Sequence, residues 1–149
     1  MGELIPGWSP RSFVQVGRPF VRRMPGDFLS LAAAQFALET GRGEAPGRGG
    51  QLWREHGNPW CIKESKDKRY QAGATPDGYA IYSSLEQAFA DRLRILAMYS
   101  NWAISRGMWH GNVLGLLDAW WAPEQQYGEK LVSIVRSEKL YLIDPRPSL

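Results

Sequence analysis

The chain has 149 residues, a length that accommodates one domain with a full core and argues against two independent ones. At 44% hydrophobic and 22% charged it has the composition of a soluble globular chain. Eighteen Lys and Arg against fifteen Asp and Glu leave a net charge of +3, which favours anionic surfaces such as nucleic acid or cell wall without choosing between them.

In chain order, residues 1–24 carry Pro6, Pro10, Gly17 and Pro19 and predict an irregular arm packed on the domain through Trp8, Phe13 and Phe20. The domain proper is expected over 25–149. Pro25-Gly26-Asp27 predicts a turn and an N-cap, and Phe28, Leu31, Ala32, Phe36 and Leu38 then support a helix to about Glu39. Gly41 and Gly43 end it. The five glycines and Pro46 within 41–50 predict a loop whose spacing matches no phosphate-binding signature. Trp60–Lys63 and Gly78–Tyr82 are short β-prone runs and predict a small hairpin. Ser83 and Glu86 predict a capping box that opens a helix carrying Leu85, Phe89, Leu93, Leu96 and Ala97 to about Ser100. A further helix is expected over about 109–120 and another after Pro123, with Tyr127, Leu131, Ile134 and Val135 on one face. The tail 140–149, with Pro145 and Pro147, predicts no helix.

This pattern delivers one carboxylate, Glu39, to a Gly-rich break in Ala-Leu-Glu-Thr-Gly-Arg-Gly at 37–43. A carboxylate there is both partly desolvated and reachable by a ligand. Desolvation disfavours the charged form and raises the pKa, which is how a glutamate keeps a proton to donate near neutral pH. Ordinary surface punctuation of a helix by Glu-Gly fits the same local pattern.

Other chemistries find less support. Cys61 is alone, so no intramolecular disulfide forms. His56 and His110 sit in no ligand-spaced motif, and neither a metal nor a cofactor is expected. The densest basic cluster, Lys63, Lys66, Lys68 and Arg69, is interleaved with Glu64 and Asp67 and reads as a solvated hairpin, with no nucleic-acid motif beside it. No run approaches the ~20 apolar residues of a membrane span, and residues 1–24 lack a secretory pattern. A soluble monomer made in the cytoplasm is expected. If its substrate lies outside the cell, a phage-type release or a targeting segment removed from this sequence must deliver it.

Helix, Gly-rich loop, small hairpin and several further helices match a lysozyme-like α+β plan, in which a groove between a helical lobe and a β-lobe threads a polymer. Three blocks then resemble the glucosaminidase family of bacterial cell-wall hydrolases, glycoside hydrolase family 73. Ala-Leu-Glu-Thr-Gly-Arg-Gly at 37–43 is similar to the family's Ala-Leu-Glu-Ser-Gly-Trp-Gly. Asn58-Pro59-Trp60-Cys61-Ile62-Lys63 and Tyr82-Ser83-Ser84-Leu85-Glu86 are similar to its Asn-Leu-Phe-Gly-Ile-Lys and Tyr-Ser-Ser-Xaa-Glu. Trp121 to Leu131 is similar to its Tyr-Ala-Thr-Asp-Pro-Xaa-Tyr-Ala-Xaa-Lys-Leu.

The resemblance implies hydrolysis of the β-1,4 bond between N-acetylglucosamine and N-acetylmuramic acid in peptidoglycan strands, with Glu39 as general acid. A second acid, where the family has one, comes from the β-lobe, which makes Asp77, Glu64 and Asp67 the candidates, with Asp77 preferred. Inversion would separate the two carboxyls by about 6.5–9.5 Å and a direct nucleophile by about 5–5.5 Å, whereas assistance by the N-acetyl group needs neither. Trp60, Tyr82, Trp120, Trp121 and Tyr127 are the candidate sugar-binding residues. Trp121 stands where the family has a tyrosine important for activity, and Arg42 and Cys61 replace a Trp and a Gly. A non-catalytic glycan-binding or structural domain of the same fold is the alternative.

Overall fold

The computed structural model describes residues 10–108, 111–122 and 124–144. The helix built by the apolar run, α2 (Leu29–Thr40), is buried on nearly every side, as expected of a helix that is apolar all round. Around it pack α1 (Pro10–Val21), α3 (Arg48–His56), α6 (Tyr127–Ser137) and a 3-10 turn, Leu140–Ile143. Helix α4 (Leu85–Ser105) packs on α1 and on the short α5 (Val113–Leu116), which runs on as a π-helical turn, Leu117–Trp121. The sheet is minimal: β1 (Gly73–Ala74) pairs antiparallel with β2 (Ala80–Ile81), Gly73 opposite Ile81. The α+β expectation, a helical body with a small sheet, is therefore met.

Several local expectations are corrected. The arm is helical over 10–21. Pro10 takes the first helical position, where no intrahelical donor is lost. Phe13 and Phe20 do pack inward, on Phe89, with ring centroids 5.1 and 6.0 Å away. Gly17 permits this approach, since a Cβ there would lie 2.5 Å from the Phe89 ring. Trp8 lies outside the described residues, as do Trp109, His110 and 145–149.

The expected N-cap Asp27 has another task. Position N-cap falls on Phe28, whose side chain offers no acceptor. Asp144, arriving from the far end of the chain, accepts from Ser30 N at 2.9 Å and Ser30 Oγ at 2.5 Å. Asp27 instead holds the buried Arg92 guanidinium at 2.6 and 3.1 Å.

The glycine-rich stretch does not stay a loop to residue 50, because α3 starts inside it. Glycine there serves close approach: a Cβ on Gly49 would lie 1.9 Å from the Glu39 carbonyl oxygen, and one on Gly50 would lie 2.0 Å from that of Ala45. In the expected hairpin, the partner of β2 is 73–74. The 62–64 segment adds only a bridge between Lys63 and Tyr79, with Ala80 N donating to Ile62 O at 2.9 Å. The cap of α4 is displaced by one residue, since Ser84 Oγ accepts from Gln87 N and Gln87 Oε1 from Ser83 N, both at 3.2 Å. The tail, expected to hold no helix, begins as a 3-10 turn.

Candidate active site

Glu39 occupies the last turn of α2, half-buried. Gly41, left-handed at φ 57°, stops the helix behind it, and buried Thr40 ties the turn, donating to Phe36 O at 2.6 Å and accepting from Gly43 N at 2.8 Å. Burial raises the Glu39 pKa. Hydrogen bonds from Tyr127 and Cys61 work against that rise, and the charge of Glu124 adds to it. The unpaired carbonyls of a helix C-terminus act in the same direction as burial.

Tyr127 is the first residue of α6 and is fully buried. Its placement depends on Asp118 in the π-helical turn, whose Oδ1 accepts from Gly128 N at 2.7 Å and so supplies the cap that Gln126 does not. The Tyr127 hydroxyl acts on Glu39, whose pKa it lowers, and accepts from Gln35 Nε2 at 3.4 Å. Burial pushes its pKa far up, so it stays a neutral phenol.

Cys61 closes the third side. It is left-handed at φ 52°, in the position where a glycine was expected from the family pattern, and its Sγ lies 3.6 Å from the Glu39 carbonyl oxygen. Burial, with the neighbouring Glu39, pushes the thiol up to about 12. The backbone carrying it is fixed by fully buried Asn58, whose Nδ2 donates to Ile62 O and Ala80 O, both at 2.9 Å, and whose Oδ1 accepts from Ile62 N at 3.1 Å and Trp60 N at 3.3 Å.

From Cys61 a groove of about 370 Å³ runs between the sheet-side segment 61–65 and α4, past Arg94, Met98 and Tyr99 to Trp121. Tyr99 gathers Trp102, Trp120 and Trp121 at 5.7, 6.1 and 6.3 Å. Trp121 thus lines the groove, while Trp120 faces a separate recess with Met108. A larger cavity, about 790 Å³ between α5 and α6, is lined by neither Glu39, Tyr127 nor Cys61.

Three expected sugar-binding residues, Trp60, Tyr82 and Tyr127, are buried in the core and present no face to a sugar. Trp60 is 1% exposed, donates to Ala32 O at 2.8 Å and meets Phe89 edge-on. Tyr82 is 5% exposed and gives its hydroxyl to Asp91 at 2.5 Å. Among the candidate second acids, Glu64 lines the groove, with Lys68 at 2.9 Å. Asp77 is held by Arg48 at 2.5 and 2.8 Å and by Thr75 at 2.7 Å, with Arg48 foremost in lowering it to about 2. Asp67 is paired with Arg69, which holds it at about 2. Sequence reasoning missed Glu124, whose charge acts on the acid, and Gln35 and Arg92, which act on Tyr127. A polar Gln35 inside an otherwise apolar helical run was the available signal. Among the described residues no group of His, Cys, Asp or Glu is placed to hold a metal ion, and no helix is long and apolar enough to cross a membrane.

The arrangement is a half-buried carboxyl behind Cys61, the residue at one end of an aromatic-lined groove that Glu39 itself does not line, and comparison with known proteins gives it a setting. The catalytic domain of the autolysin Auto from Listeria monocytogenes is similar in structure, at TM-score 0.64 and 18% identity over 91% of this chain and 85% of that one. The glycoside hydrolase domain of FlgJ from Salmonella typhimurium is similar at TM-score 0.56 and 19% identity over 91% of each chain. Both share the lysozyme-like plan. Among curated protein sequences none matches this chain. The family model for glucosaminidase, described as mannosyl-glycoprotein endo-beta-N-acetylglucosaminidase, matches residues 26–140, and the chain belongs to that family.

Proposed function

We propose that this protein is a peptidoglycan hydrolase acting on the cell wall, cleaving the β-1,4 bond between N-acetylglucosamine and N-acetylmuramic acid with Glu39 as general acid. The observation that carries this reading is the environment of Glu39: half-buried, with a raised pKa, and in contact with a residue that lines the groove. A glutamate so placed retains its proton at higher pH than a solvated one. It donates that proton to the glycosidic oxygen as the bond breaks and positive charge develops on the sugar ring. Trp121, at the other end of the groove, offers a flat face to a sugar ring.

For the opposite face of the sugar, position in the groove favours Glu64 as the group that activates water. Asp77 is ionised, as a base must be, but Arg48 already engages both its oxygens. Replacing the base should cost about 100-fold or more in kcat. Glu64→Gln is expected to show that loss and Asp77→Asn a far smaller one, and the reverse ranking would return the role to Asp77.

The overall test is direct. Purified protein should clear a peptidoglycan suspension and release new reducing ends, and Glu39→Gln should abolish both while still binding the sacculus. Mass spectrometry of the fragments should find N-acetylglucosamine at the reducing end, whereas N-acetylmuramic acid there would make the enzyme a muramidase. If wild type binds the wall and never cuts it, the domain is a glycan-binding module.

A further inference from the structure

The helical body contains a polar chain that runs through the core and ends on the Tyr127 hydroxyl, which acts on Glu39. Asp27 accepts from both terminal nitrogens of Arg92 at 2.6 and 3.1 Å, and both side chains are almost wholly buried. Arg92 Nε donates to Gln35 Oε1 at 2.9 Å. Gln35 Nε2 donates to the Tyr127 hydroxyl at 3.4 Å, and that hydroxyl lowers the Glu39 pKa. Gln35 and Tyr127 are fully buried, so a bond lost from this chain leaves a desolvated polar group behind.

Donor and acceptor chemistry gives the chain one direction. A guanidinium only donates, so the Gln35 atom facing Arg92 must be its carbonyl oxygen. The amide nitrogen then faces Tyr127 and can only donate. The phenol oxygen accepts that bond, and its single proton remains for Glu39. We propose that Gln35 and Arg92 are positioning residues for the acid, aiming the Tyr127 proton at one Glu39 oxygen and leaving the other oxygen to carry the transferable proton.

This inference rests on Glu39 as the general acid for its catalytic consequence, but not for its geometry. The aimed proton stabilises the carboxylate left after proton transfer, and it offsets part of the rise that burial imposes. The other groups acting on Glu39 are the Cys61 thiol and Glu124, with Arg48 acting on Cys61 and Arg92 on Tyr127.

The test measures the Glu39 titration by carbon-detected NMR on the full chain, beside the pH profile of kcat/KM. Tyr127→Phe keeps the ring and removes the proton, and should raise the Glu39 pKa by about one unit. Gln35→Glu is isosteric but accepts from both neighbours, so the Tyr127 proton turns away from Glu39. It should raise the Glu39 pKa in the presence of the phenol and add little on the Tyr127→Phe background. Equal shifts in both backgrounds would mean that the new charge acts directly, and would overturn the positioning role. An unchanged or lowered Glu39 pKa in Tyr127→Phe would overturn the whole chain. The alkaline limb of kcat/KM should move upward with the NMR value. If the NMR value moves and the limb does not, the network stands and Glu39 loses its place as the acid.

Discussion

Burial makes the native state hold the Glu39 proton more tightly than the unfolded chain does, where a glutamate titrates near about 4.3. Between that value and the raised native one, the folded state binds more protons, so this group's contribution to stability falls as pH rises. Glu39→Gln removes the liability. The variant should melt above wild type at pH 8, with the gap closing towards pH 4. A constant gap would mean that burial does not hold the proton. Cys61 makes a second prediction at this scale. With its thiol pushed up to about 12, almost none is thiolate at pH 8, so alkylation of the native protein should run at least ~100-fold slower than in denaturant. At this scale the sequence exposed Glu39, because an apolar run ending in Glu and then Gly is a local pattern. It hid Gln35 and Arg92, which are 57 positions apart and meet only once α2 and α4 are packed.

At the scale of elements, periodicity marked the long helices and failed where the reason for an element lies elsewhere in the chain. Helix α2 is capped by Asp144, 114 residues away, and α6 by Asp118, so neither start carries its own signal. Two-residue strands are too short to show alternation. Helix α3 was masked by glycines whose purpose is contact with the Glu39 and Ala45 carbonyls. Adjacent serines left the cap of α4 ambiguous by one residue. That ambiguity is testable, since Ser84→Ala should cost about 1 kcal/mol in urea unfolding and Ser83→Ala only a few tenths. Asp118→Ala should cost a similar ~1 kcal/mol and, by loosening the turn that seats Tyr127, also lower kcat.

At the scale of the whole molecule, the question is what α1 is for, since the family match begins after it at residue 26. It lies on α4 and buries Phe13 and Val21, while Met24, just beyond its end, is buried in the same core. Phe89 is the meeting point: Phe13 and Phe20 cover it from α1, and Trp60 meets it from the segment that carries Cys61. Each fully buried apolar side chain stabilises the fold by about 1.5–3 kcal/mol. Losing three is comparable with the ~5–15 kcal/mol that separates a typical domain from its unfolded state. A chain starting at residue 25 should therefore unfold at much lower urea, bind a hydrophobic dye in the absence of denaturant, and lose activity through the displaced Trp60 and Cys61 segment. A midpoint within error of the full chain would show that the core closes without α1, and would make this helix an accessory to the fold.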